Sequence, residues 1–201
     1  MKADRRRRKG GARILAVGGG TAALAAIVAS AALAAPSKTI VLSDARNDVS
    51  GVLDLTRVSL QRASDGRVRA ALTFADKLTP KALLAGSGPP GSACVRIWTA
   101  PEADPASMRP NRLACVTAQS AEQFRGGVYE VKGAALPKRV ASASVKLTAS
   151  GTSIILRFNQ TSIGRPDRFR FAVESTRPGC ERPACIDTVP DGGTARTFRL
   201  R

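Results

Sequence analysis

The stretch Arg67-Val68-Arg69-Ala70-Ala71-Leu72-Thr73-Phe74 decides the fold class. In an extended chain Val68, Ala70, Leu72 and Phe74 point one way, and Arg67, Arg69, Ala71 and Thr73 point the other. Side chains alternate across a strand, so a period of two buries one face and leaves the other in water. The same idiom returns at Arg168-Phe169-Arg170-Phe171-Ala172-Val173-Glu174.

Working outward, the alternation recurs over 141–147, 154–159 and 197–201. Shorter strands are predicted at 39–42, 53–60, 94–99, 112–117 and 128–132. The breakers between them are of the expected kind. Gly86-Ser87-Gly88-Pro89-Pro90-Gly91-Ser92 suits neither helix nor central strand, and Ser150-Gly151 stands where a hairpin turn belongs. Only 80–85 and the neighbourhood of 121–124 read as locally helical. Many short strands joined by loops predict an all-β, antiparallel, jelly-roll-like sandwich.

The first 13 residues carry seven basic groups and one acid, and residues 14–35 are uncharged and rich in Ala. A basic segment, an apolar run and then Ala32-Leu33-Ala34 is the order of a secretory signal. The run of 22 residues is also long enough to span a bilayer as a retained single-pass anchor with a cytoplasmic N-terminus. Either way, residues 1–34 are a leader or anchor, and residues 35–201 form a secreted or extracytoplasmic domain. The chain's net charge of +17 falls to +11 beyond residue 34, where 25 basic residues face 14 acids.

All four cysteines lie in that domain. An even number in an exported chain points to disulfides, with three connectivities open. Cys94–Cys115 and Cys180–Cys185 are favoured, because each pair flanks a turn-rich segment. The spacings lack the two-residue gaps of paired zinc knuckles, so no metal or cofactor is expected there. Asp44, Asn47, Asp48 and Asp54 offer oxygen ligands to a calcium ion, but their spacing misses the EF-hand pattern and suits a plain turn better. Asp187 and Asp191 invite the same question less strongly.

The chain has no His, which excludes Ser-His-Asp and Cys-His nucleophile systems. There is no Ser-x-x-Lys either, so catalysis would fall to a carboxylate pair that no spacing singles out. A non-catalytic role is expected. Arg67, Arg69, Arg168, Arg170, Arg199 and Arg201 recur on outward strand faces, and on neighbouring strands they would form a basic plate. Of eight aromatics, six are Phe in largely core positions, leaving Trp98 and Tyr129, with Arg96 near Trp98, as the candidate ligand platform. Trp98 packed under a Cys94–Cys115 bridge is the plainer reading. So few exposed aromatics argue against single-stranded nucleic acid as a partner. A cell-envelope polymer or protein fits better, with the membrane reached only through the N-terminal segment. Asn159-Gln160-Thr161 is a glycosylation sequon, meaningful only in a host that modifies it.

Asp44-x-x-x-Asp48-Val49, followed by Leu53-Asp54-Leu55-Thr56-x-Val58 and an alternating strand, resembles the opening of secreted bacterial β-sandwich domains. These are of the DOMON-like and carbohydrate-binding-module type. The resemblance covers 44–74 and implies an extracytoplasmic ligand-binding jelly roll, without naming a ligand.

Overall fold

The described residues form eleven strands, from β1 (Thr39–Ser43) to β11 (Arg196–Arg199), most of them where the alternation predicts. The computed structural model describes residues 39–46, 49, 51–99, 109–180 and 183–201. The basic leader, the apolar run 14–35, Asn47 and Asp48 lie outside the described residues. Of the two units into which the chain divides, Met1–Ala34 and Ala35–Arg201, the second holds every described residue. Among the described residues, helical turns are four residues or shorter, as at Pro80–Leu83 and Gln160–Ile163. The all-β, antiparallel expectation holds.

The remaining strands are β2 (Leu55–Arg62), β3 (Arg67–Phe74), β4 (Ser92–Trp98), β5 (Arg112–Ala118), β6 (Phe124–Glu130), β7 (Lys138–Leu147), β8 (Ser153–Asn159), β9 (Arg168–Thr176) and β10 (Ile186–Val189). They form one continuous ribbon in the order β1-β2-β3-β8-β7-β6-β5-β4-β9-β10, with β11 also on β9. The ribbon folds into two facing sheets, and β7 belongs to both. Its first half pairs with β6 and its second half, from Ser144 to Leu147, pairs with β8. A bulge opposite Val128 and Tyr129 interrupts the β6–β7 ladder, and bulges bend the strand that carries them. The first sheet is therefore β1-β2-β3-β8-β7, and the second is β7-β6-β5-β4-β9 with β10 and β11.

The inward faces supply the core. Phe74, Phe158, Phe169, Phe171 and Phe198 are all buried, as the alternation predicts. The Phe169 and Phe198 rings lie 5.4 Å apart, and Phe171 meets Phe198 edge-on at 6.5 Å. Such pairs add a directional term to area burial. β6 approaches β7 closely because Gly126 has no side chain. A Cβ there would collide with the Ala143 carbonyl and lie 2.7 Å from Val145 Cγ2.

A buried polar clasp joins the two sheets. Asp187 on β10 and Ser175 on β9 are direct cross-strand partners, and both are buried. Leu55 N–H donates to the Asp187 carboxylate at 2.5 Å, and Ser175 Oγ donates to the Leu53 carbonyl. Leu55 sits at a register shift in the β2–β3 ladder, where it needs a partner from elsewhere. Asp187, considered above as a metal ligand, here serves the backbone.

Several expected boundaries move. β7 begins at Lys138 rather than 141, because Lys138, Arg139 and Val140 are all exposed and show no alternation. β6 begins at Phe124, where a helical turn was expected. β10 has four residues, too few to reveal a period, and was not anticipated. The turn at Ser150-Gly151 is present, with Gly151 at φ 75° joining β7 to β8.

Candidate functional site

Both expected disulfides form and no cysteine is free, the mark of an oxidising compartment. Cys94 and Cys115 are direct partners on β4 and β5, with Cα atoms 4.0 Å apart. Cys180 and Cys185 bridge a five-residue separation, with Cα atoms 6.0 Å apart. The loop expected to be closed by the first bridge falls largely at 100–108, outside the described residues.

The outer face of the second sheet collects Trp98, Arg96, Tyr129 and Arg170, and several of its charges are paired within the face. Trp98 is buried against Ala172 and Ala195 rather than under the disulfide. Cys94 is four residues back on the same strand, about 13 Å at the rise of an extended chain. The Arg96 guanidinium lies 5.3 Å from the Trp98 ring centroid and bonds Glu174 at 3.1 Å. This tie between a cation, a ring and a carboxylate leaves little charge to offer. Tyr129 lies over Gly127, where an added Cβ would stand 2.9 Å from its ring. Beside it, Arg139 donates to the Gly126 carbonyl at 3.0 Å and to Ser142 at 3.2 Å. At the strand ends Glu130 takes Arg112 at 3.0 Å and Lys132 at 3.1 Å. The hydrogen bond and positive charge of Lys132, with help from Arg112 and Lys138, hold the Glu130 carboxyl below its ordinary range.

The outer face of the first sheet is different. Register aligns Thr39, Gln61, Arg69, Arg157 and Ser144 in one row across β1, β2, β3, β8 and β7. The rows beside it bring Arg57 opposite Thr73, Arg67 opposite Asn159, and Lys146 opposite Ile155. No outward position on these strands is Asp or Glu. Arg67 has only the hairpin acid Asp65, at 3.6 Å. Among the described residues, no carboxylate lies within salt-bridge reach of Arg57, Arg69, Arg157 or Lys146. Like charges placed directly opposite on adjacent strands destabilise a sheet, so the Arg69–Arg157 pair costs stability where it stands. At the end of this face Arg67, Arg157, Asn159, Ser142 and Ser144 line a hollow of about 260 Å³.

The basic plate expected from six strand arginines is thus divided. β3 and β9 are not neighbours, so Arg67 and Arg69 lie on the first sheet while Arg168, Arg170 and Arg199 lie on the second. Arg168 and Arg199 do face each other across β9 and β11, and Arg201 pairs with Asp167 at 2.9 Å. Sequence reasoning missed Arg57, Lys146 and Arg157 as members of the first-sheet face. Arg157 stands at an outward position of an alternating strand, and that signal was available.

No family model matches this chain. No curated protein and no solved structure is significantly similar to it either. Function therefore has to be argued from the faces themselves. A second hollow, of about 400 Å³, is lined by Gly51, Val52, Leu53, Ala82, Arg177 and Pro178, with no carboxylate among the described residues of its wall. Among the described residues no three acidic or sulfur ligands gather into a metal site. Asp54 is buried, and the Asn47 and Asp48 half of the calcium expectation lies outside the described residues. Among the described residues no helix is long and apolar enough to cross a membrane.

Proposed function

We propose that this chain is an exported, disulfide-stabilised module of the cell envelope that binds an anionic polymer, without catalysis, through the outer face of its first sheet. The observation that carries the reading is the directly opposed Arg69 and Arg157 on a face with no acid. A flexible chain of phosphate or carboxylate groups would relieve that repulsion. Guanidinium groups match such groups through paired N–H donors. Ser144 and Asn159 supply neutral hydrogen-bonding groups along the same rows. The two disulfides and the leader-like N-terminus support export. The DOMON-like and carbohydrate-binding-module resemblance belongs with the same reading, since such domains are extracytoplasmic ligand binders.

A carboxylate-dependent hydrolase has less to support it. Among the described residues neither hollow carries an acid, and the buried Asp187 is committed to the Leu55 backbone. The test is binding of polyphosphate and polygalacturonate, with neutral dextran as control, by the full chain and by Arg69→Gln/Arg157→Gln. Tight binding that falls steeply with salt and is lost in the double variant is expected. Unchanged affinity in that variant would refute the assignment. Export is checked separately on protein from the native host, where four free thiols in a cytoplasmic fraction would overturn it.

A further inference from the structure

The hydrogen-bond register also sorts the strand ends. The end of β2, the start of β3, the end of β8 and the start of β9 share one rim with the β6–β7 hairpin. Thr39, opposite Gln61, stands on the same rim. The hairpin is the most exposed part of that rim. Every residue from Lys132 to Val140 is exposed, and Leu136 at its tip is 92% exposed. Ala134, Ala135 and Pro137 extend the apolar tip, and Val140 adds another exposed aliphatic side chain. Lys132, Lys138 and Arg139 flank it.

The rest of the rim carries the same sign. Arg62, Arg165, Arg168 and Arg199 are exposed on it. Among the described residues its acids, Asp65, Glu130 and Asp167, are each already joined to a basic side chain. An apolar tip ringed by cations suits one kind of surface. Hydrocarbon accepts the tip, and anionic headgroups accept the ring.

We propose that this rim is a membrane-docking edge: the Leu136 hairpin enters the interfacial layer of an anionic bilayer while the surrounding Lys and Arg lie at headgroup level. A soluble polyanion would satisfy the cations but would offer nothing to Leu136, Pro137 and the two alanines. The outer face of the first sheet then stands upright from the membrane, open to polymer. The inference shares only the extracytoplasmic location with the function proposed above, and its failure would leave polymer binding at Arg69 and Arg157 untouched.

The experiment uses the full chain with Leu136→Trp, a substitution at a site exposed enough to leave folding intact, which a thermal melt checks. The probe is phosphatidylglycerol–phosphatidylcholine vesicles containing brominated lipid. Trp98 is buried and supplies a constant background. The expected result is blue-shifted emission quenched by bromines near the headgroups, weakened by salt and absent with phosphatidylcholine alone. Lys132→Gln/Lys138→Gln in the same background is expected to lower partitioning by about thirtyfold at low salt. Vesicle association without quenching would mean that the N-terminal segment alone holds the protein, and would overturn the proposal. Equal quenching on neutral vesicles, or the same blue shift with soluble polyphosphate in place of vesicles, would overturn it too.

Discussion

Replacing Arg157 by Gln should make the protein more stable and a poorer binder at the same time. Arg157 is the direct cross-strand partner of Arg69, and its next neighbour in the row is Ser144. Opposed side chains on adjacent strands have Cβ atoms roughly 5 Å apart. Guanidinium groups splayed to about 7 Å repel by roughly 0.6 kcal/mol in water, and by less once salt screens them. Gln keeps the stem and its hydrogen-bonding ability and removes the charge. A gain of about 0.5 kcal/mol corresponds to a melting temperature higher by roughly 1–2 °C for a domain of this size. The gain should vanish near 1 M salt, where screening acts within about 3 Å. Polymer affinity should fall by about tenfold or more, because each charge-assisted hydrogen bond is worth roughly 1.5–3 kcal/mol. Calorimetric melts at low and high salt, paired with polymer titration, read both effects. A lower melting temperature, or a gain indifferent to salt, would show that the pair is not electrostatically strained. Unchanged polymer affinity would refute the functional half of the reasoning.

Three further outcomes follow from the packing and charge of the domain. Asp187→Ala should destabilise by about 2–4 kcal/mol in urea unfolding, because it strands the Leu55 N–H and removes a buried, charge-assisted bond; a loss below about 0.5 kcal/mol would mean water replaces the carboxylate. Gly126→Ala should cost roughly 1–3 kcal/mol and shift β6–β7 amide resonances, since the new methyl group meets the Ala143 carbonyl. Glu130 has a folded-state pKa below its unfolded value, so its contribution is present above the ordinary carboxylate range and lost as pH falls through the lowered value. Glu130→Gln should accordingly flatten the acid side of the stability profile, and an unchanged slope between wild type and variant would contradict the pairing.

Most of the fold was legible because burial on one face writes itself into a strand every second residue. Val68 to Phe74 and Phe169 to Val173 show this plainly. What escaped was whatever breaks that rule. The start of β7 at Lys138–Val140 has no buried face to report. β10 is too short to show a period, yet its Asp187 joins the two sheets. Trp98 was identified as a noteworthy aromatic, but the small Ala172 and Ala195 that bury it come from segments more than 70 residues away along the chain.

The candidate site divides the same way. The sequence by itself determined that arginines face outward at Arg67, Arg69, Arg168 and Arg170, that the cysteines pair, and that no His serves catalysis. Those are local facts of side-chain alternation and composition. Only the tertiary structure decided which arginines share a surface, because strand neighbours are chosen by long-range pairing. β3 pairs with β8, and so Arg69 meets Arg157 instead of Arg168 or Arg170. Pairing within the second sheet brings Arg96 to Glu174 and Arg112 to Glu130, while the first sheet's face has no acid. Alternation is a property of a few consecutive residues, whereas the sign and openness of a face depend on strands brought together from across the whole domain.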